Sequence, residues 1–240
     1  MMNVKILYED KHLIVCVKPA GMPSQADRSS SMDLVSWIKN YLKKQEGNVR
    51  SGVPYVSVVH RLDRPVGGVM VYAKTKKAAE DLSRQFSEHQ TQKTYLAVLT
   101  GMLKNEKGTL VNQLLKNGQT NTSSIVPEGG KTAKLDYQVL QTKDDRSLVR
   151  VTLHTGRHHQ IRVQMAGAGA GIYGDMKYNR LGTEEWNRQK GIRVRTPELC
   201  LFSCSLSFEH PITHERMEFE NLPESGCMTI DEWESLSYYE

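Results

Sequence analysis

Apolar runs bounded by turn formers organise the first hundred residues. Residues 4–10 and 13–17 read as two strands joined at Asp10-Lys11-His12, and Lys18-Pro19-Ala20-Gly21-Met22-Pro23 stops the second. A polar, Ser-rich stretch over 27–32 follows. Leu34, Val35, Ile38, Tyr41 and Leu42 then recur at helical spacing over 33–45, with Ser31 as the expected N-cap. Lys39, Lys43 and Lys44 fall elsewhere on that wheel and read as a solvated face. Residues 46–54 read as a loop. Val56 to Val59 and Val69 to Tyr72 read as buried strands, with Pro65 and Gly67-Gly68 as the turn between them. Thr75 is placed to cap a helix reaching about His89, with Ala78, Ala79, Leu82 and Phe86 as its buried stripe.

The second half is richer in strands. Residues 93–101 form a strong strand. Residues 102–130 are rich in Gly, Asn and Thr, with one apolar patch at Leu110 to Leu115, and predict short strands or a long loop. Residues 131–141 and 148–154 predict an antiparallel pair around Asp144-Asp145-Arg146. A short helix is expected from His158. Residues 199–208 are apolar on both faces at first, so that strand is expected to be central. His210-Pro211-Ile212-Thr213 turns it, Met217 to Phe219 pairs back, and Leu222-Pro223 closes the core. Thr229 with Glu232 resembles a capping box that starts a last helix.

Composition narrows the class. Hydrophobic residues at 38% and charged residues at 25% describe a soluble globular chain. No apolar run approaches the roughly 20 residues of a membrane span. Its 240 residues suffice for one large domain or two small ones, and the expectation is a single domain over 1–240. Four cysteines (Cys16, Cys200, Cys204 and Cys227) sit in apolar or mixed segments, without the paired spacing of a zinc site. Cys200 and Cys204 would share a strand face, so reduced thiols and a cytoplasmic setting are expected. Net charge is +5 and unevenly placed. Between Arg157 and Arg195 stand eight basic residues against three acids, whereas from Glu209 onward nine acids meet Arg216 alone. One positive face suited to phosphates is expected, beside the plain alternative of an ordinary solvated surface.

The chemistry concentrates on the island His60-Arg61-Leu62-Asp63-Arg64, held between the two strands flanking Pro65. A carboxylate beside fixed positive charge stays ionised and can serve as nucleophile or electrostatic stabiliser. Taken alone, the island reads more readily as a salt-bridged turn.

With Gly68 and the apolar strand ending at Lys74, this island resembles the signature of the RluA-type RNA pseudouridine synthases. The opening strand pair with Lys18-Pro19-Ala20-Gly21, the Lys93-Thr94-Tyr95 pattern, and Gly156-Arg157-His158-His159-Gln160-Ile161-Arg162-Val163 resemble the same family, as do Gly174-Asp175 and the strand ending at His210-Pro211. Pro65-Val66-Gly67-Gly68 replaces the family's usual Thr-Ser-Gly group, and a Pro-Ile pair common before the Gly-Asp turn is absent. The resemblance implies that Asp63 is catalytic, that Arg61 displaces the target base, that Tyr95 packs on that base as a candidate proton carrier, and that Arg162 pairs with Asp63. It implies that His60, Leu62, Arg64, Lys93, Gly156, Arg157, His159, Gln160 and Ile161 bind substrate. The implied fold is α+β, a mixed, mostly antiparallel bent sheet with flanking helices and a central active-site cleft, without the S4-type RNA-binding domain that many relatives carry. The implied partner is RNA, ribosomal or transfer, met by a monomer. The implied reaction isomerises uridine to pseudouridine. It involves no redox change and no group loss, so neither cofactor nor metal is expected. Two readings compete: a non-catalytic RNA-binding module on the same fold, and a metal-dependent hydrolase using His154, His158 and His159.

Overall fold

The computed structural model describes residues 4–27, 29–45, 52–194, 197–224, 226–229 and 233. They form two compact units, Met1–Gln92 with Ser203–Asn221, and Lys93–Phe202 with Leu222–Glu240.

The first unit is built on β1 (Lys5–Glu9), β2 (Leu13–Lys18), β3 (Ser57–Val58) and β4 (Gly67–Ala73), with β10 (Leu201–Glu209) and β11 (Arg216–Glu220) returning to it late in the chain. Strand order is β1-β2-β4-β10, with β3 on β4 and β11 on β10. The pairings β1–β2, β2–β4, β3–β4 and β10–β11 are antiparallel. Every residue of β4 is buried, as its unbroken apolar run requires. Helix α2 (Lys76–Ser87) lays Ala78, Ala79 and Leu82 over Leu13, Val15, Val69, Val71, Leu206 and Phe208. Thr75 caps α2 as expected, its hydroxyl accepting from Ala78 N at 3.3 Å. Helix α1 (Leu34–Gln45) buries Leu34, Ile38 and Leu42. Its cap is Asp33 rather than Ser31. The Asp33 carboxylate accepts from Ser36 N at 3.2 Å and Ser36 Oγ at 2.6 Å, while the Ser31 hydroxyl meets Ser29 and Arg64.

The second unit carries β5 (Gln92–Thr100), β6 (Lys107–Asn117), β7 (Thr122–Val126), β8 (Lys131–Lys143) and β9 (Arg146–Leu153) in the order β5-β9-β8-β6-β7, all antiparallel. The stretch expected as short strands or a long loop is a hairpin with an 11-residue arm. The β8–β9 turn is Asp144-Asp145, both with positive φ (52° and 59°), so Arg146 belongs to a strand and is buried. Helix α3 (Gln160–Gly167) packs Val163 against Leu114 and Ala133. Helix α4 (Arg180–Gln189), unforeseen in the sequence, is held to the β8–β9 turn by Trp186, whose indole N–H donates to Asp144 O at 3.0 Å. The Arg146 guanidinium lies over the Trp186 ring, 4.3 Å from its centroid.

The fold is thus α+β and mostly antiparallel, as expected. The expectation of reduced thiols fails. Cys200 and Cys227 are joined in a disulfide with Cα atoms 6.0 Å apart, while Cys16 and Cys204 are free and buried. A face shared by Cys200 and Cys204 says nothing of Cys227, which the fold brings alongside Cys200 from 27 positions away. The capping box expected at Thr229 and Glu232 lies partly outside the described residues.

Candidate active site

In the first unit, Asp63 sits on a turn braced on both flanks. Its carbonyl accepts from Val66 N at 2.9 Å, closing the turn over Pro65. On one side the buried Ser24 hydroxyl donates to Leu62 O at 2.9 Å and accepts from Leu62 N at 3.2 Å. On the other, Arg64 O accepts from Gly21 N at 2.8 Å and from Lys18 Nζ at 3.1 Å. Gly21 has φ +83°, which a side chain rarely adopts. The Asp63 side chain is half-buried, Leu62 is buried, and Arg61 is exposed.

His60 and Arg64 fasten this turn to its surroundings. His60 Nε2 accepts from Val71 N at 3.1 Å, which places the ring proton on Nδ1, and the ring stacks on Phe86 with centroids 4.4 Å apart. Arg64 donates through Nε to Gly21 O at 3.0 Å and through Nη2 to Ser31 Oγ at 3.1 Å, and it reaches Asp27 at 3.5 Å. Gly68, at the head of β4, has φ +129°, and a Cβ there would lie 2.3 Å from Ser203 O. Only glycine fits against that neighbouring backbone.

In the second unit, Tyr95 and Lys93 are both buried on β5. Burial pulls the Lys93 amine below its ordinary range. Its Nζ lies 3.9 Å from where a Cβ on Gly156 would stand, so these two candidate residues adjoin. Gln160 opens α3 and binds the chain leading into it. Its side-chain oxygen accepts from Arg157 N at 3.0 Å and Thr155 Oγ1 at 2.8 Å, and its amide donates to Lys134 O at 3.1 Å. Arg157 donates to Thr132 O at 2.9 Å. Ile161 is buried.

His159 precedes α3 with φ 56° and meets Tyr178 Oη through Nδ1 at 2.6 Å. Burial, then the positive fields of Arg162, His158, Lys177 and Lys116, push its ring down to about 3, so it is neutral at physiological pH. His158 stacks on it, and bonds Ser123 Oγ at 2.9 Å and Asn121 Oδ1 at 3.1 Å. His154 pairs instead with Asp136 at 2.6 Å. The three histidines therefore do not converge, and among the described residues no group of three metal-ligating side chains could hold an ion.

Arg162 is buried in a two-pronged pair with Asp175, Nε to Oδ2 at 2.7 Å and Nη2 to Oδ1 at 2.6 Å. Asp175 also accepts from Lys177 N at 3.0 Å and Tyr178 N at 3.1 Å. Sequence reasoning assigned Arg162 to Asp63 and gave Asp175 no partner. The Gly174-Asp175 turn was the available signal. Gly174 has φ +80°, and a Cβ there would overlap the Glu198 carbonyl. Lys18, expected as part of the segment that stops β2 and resembles the family's opening, also reaches the Asp63 turn through Arg64 O.

Comparison with known proteins fits this arrangement. Residues 12–167 match the family model described as RNA pseudouridylate synthase. The chain is 36% identical to a dual-specificity RNA pseudouridine synthase RluA of Yersinia pestis, over 72% of this chain and 81% of that protein. It is 32% identical to the ribosomal large subunit pseudouridine synthase D of Nitrosomonas europaea, over 98% of this chain and 67% of that protein. The solved structure of human RNA pseudouridylate synthase domain containing 4 shares the fold, with a TM-score of 0.76 at 22% identity, covering 97% of this chain and 92% of that one. With a matching family model, relatives above 30% identity and a braced His-Arg-Leu-Asp turn, the chain belongs to the RluA-type RNA pseudouridine synthases, which are isomerases.

Proposed function

We propose that Asp63 is the catalytic carboxylate of this RNA pseudouridine synthase and that the substrate is a uridine in structured ribosomal or transfer RNA. The observation that carries the reading is the bracing of the Asp63 turn. Ser24 on one side and Lys18 with Gly21 on the other fix the backbone around a half-buried carboxylate. A group held this way acts without reorganising at the moment of reaction.

The chemistry needs little else. The glycosidic C–N bond breaks, the uracil turns, its C5 bonds to the ribose carbon, C5 gives up its proton to solvent, and the freed N1 takes one up, so that the product is an isomer of the substrate. Asp63 supports this as nucleophile or by stabilising positive character at the sugar. Extracting the base from structured RNA costs a few kcal/mol. Arg61, exposed beside Asp63, is suited to fill the vacated place. Tyr95 is assigned to the base, and Arg162 to Asp63 in addition to its bond with Asp175. The enzyme is assigned as a monomeric cytoplasmic catalytic domain over 1–240. The ribosomal substrate draws its support from the likeness to the Nitrosomonas ribosomal large subunit synthase.

Asp63→Asn tests the reading. Release of tritium from RNA carrying 5-tritiated uridine should fall below detection, while RNA affinity stays within about threefold. Near-normal turnover would sink the assignment. Arg162→Met should also lose most of its turnover, and adding it to Asp63→Asn should scarcely lower the rate further, because groups acting as a unit are not additive.

A further inference from the structure

The two joined cysteines are anchored to different parts of the second unit. Cys200 is buried where three backbone stretches meet. Val98 N on β5 donates to Cys200 O at 3.0 Å, Cys200 N donates to Tyr173 O at 3.0 Å, and Tyr173 N donates to Val98 O at 2.8 Å. Tyr173 leads into the Gly174-Asp175 turn, whose carboxylate holds Arg162. Glu198 lies against that same turn, because its carbonyl fills the space a Cβ on Gly174 would need. The 198–200 segment therefore backs both β5, which carries Tyr95, and the turn that carries Asp175.

Cys227 lies in a C-terminal segment. Residues 226–229 form neither strand nor helix, so no ladder of backbone bonds holds them. Gly226 approaches Glu198 so closely that a Cβ would stand 2.5 Å from its Oε2. Cys227 O accepts from the indole N–H of Trp233 at 3.0 Å. Trp233 is completely buried, with the Arg146 guanidinium 5.3 Å from its ring centroid. The covalent bond to Cys200 is thus what fastens this segment to the 198–200 segment beneath it. Thiols prevail in the cytoplasmic setting assigned to the enzyme, and disulfides formed in such a setting are usually transient, catalytic or redox-sensing. Cys227 is half-buried and Cys200 buried, so an incoming thiolate reaches the Cys227 sulfur first.

We propose that Cys200 and Cys227 form a thiol-exchange site, a staple that a dithiol reductant opens, freeing the C-terminal segment from the 198–200 segment and slowing isomerisation. One thiolate of the dithiol attacks Cys227 Sγ, and the S–S bond breaks with its electron pair on Cys200 Sγ. Cys200 takes up the proton the dithiol lost, and its thiol finds an acceptor in Glu198 O at 3.7 Å. The second thiol of the reductant gives up its proton and closes on the first, and Cys227 leaves and takes that proton. The protein gains two electrons and two protons, and the dithiol ends as a cyclic disulfide. The effect on rate rests on the reading of Arg162 and Tyr95 as groups that serve the reaction.

The purified chain is compared after equilibration with oxidised and with reduced dithiothreitol. Alkylation in denaturant should mark only Cys16 and Cys204 in the oxidised sample and all four cysteines in the reduced one. Four marked cysteines in the oxidised sample overturn the proposal. The indole N–H of Trp233, its resonance assigned with Trp233→Phe, should exchange with solvent at least about tenfold faster once the bond is reduced. An unchanged exchange rate shows that the staple holds nothing, and overturns it too. Single-turnover isomerisation should fall at least about threefold on reduction, with RNA affinity within about twofold. Cys227→Ser, without reductant, should show the reduced rate and no response to dithiothreitol, which separates the staple from any effect of the reductant elsewhere. A wild-type rate that is the same in both states overturns the proposal. If Arg162→Met itself turns over normally, the reading of Arg162 has failed instead, so the two failures are distinguishable.

Discussion

Arg162 and Asp175 show what a motif arginine does once folded. Each satisfies the other, and both are nearly sealed from water, with side-chain exposures of 8% and 0%. Removing one partner of such a pair strands a buried charge. Arg162→Met should therefore lower unfolding stability by about 3–5 kcal/mol, and adding Asp175→Asn should restore at least about 1 kcal/mol, measured by urea unfolding of all three proteins. If the double variant is the least stable, the pair is not the main role of Arg162. His159 gives a pH test. Its folded ring is pushed down to about 3, against about 6.5 when unfolded. Between those values the unfolded chain binds the extra proton, so stability is full above about pH 6.5 and is lost as pH falls toward 3. His159→Asn tolerates the left-handed backbone. It should show a smaller stability difference between pH 7 and pH 4.5 than wild type does. At this scale the sequence was legible where motif and geometry coincide, as with Asp63 on its braced turn. It was not legible where the partner lies on another element, as with Asp175 for Arg162 or Arg64 O for Lys18. Spacing carries no information about contacts the fold alone creates.

Among the elements, α2 was the most readable, because cap, stripe and following strand all agree. Thr75 supplies a hydroxyl to Ala78 N, and Ala78, Ala79 and Leu82 face the sheet. Thr75→Ala should cost about 1 kcal/mol, read as a lower urea midpoint with an unchanged slope. A changed slope would mean that more than a cap was lost. The start of α1 was misread by two residues because Ser31 and Asp33 are both good caps, and only the bond from Ser36 separates them. The hairpin of β6 and β7 was undervalued for another reason. Most of its side chains are exposed or half-buried, so its alternation carries little apolar signal. Helix α4 was missed outright. It buries only Thr183, Trp186 and Asn187, contains Gly182, and has no side-chain cap bond. Its position is set by Trp186 against Arg146 and Asp144, which are contacts from a distant hairpin.

For the whole molecule, the open question is which of the positive charges RNA can reach. The sequence pointed to eight basic residues between Arg157 and Arg195, but position in the chain overstates their availability. Arg162 is buried on Asp175, Arg180 pairs with Glu184 at 3.7 Å, Arg188 pairs with Glu185, and Lys190 reaches Asp144 at 3.4 Å. Arg195 lies outside the described residues. The sheet supplies what the linear count overlooked. Lys116 on β6 and Lys134 on β8 are exposed, as is Lys177 from the linear count, and the fields of Lys116 and Lys177 both reach His159. That gathers positive charge around the start of α3, where the Gly-Arg-His-His-Gln segment lies. Each phosphate neutralised by a cation on single-stranded RNA contributes about −0.7 to the slope of log affinity against log salt. Replacing Lys116, Lys134 and Lys177 together by Gln should therefore flatten that slope by about 2 if each meets one phosphate. Replacing Arg180, Arg188 and Lys190 by Gln removes the same formal charge from groups already paired, so it should flatten the slope by much less. Filter binding across a salt series with both triple variants measures the difference. Equal flattening would show that RNA responds to net charge alone, and that the surface around α3 has no special part in binding.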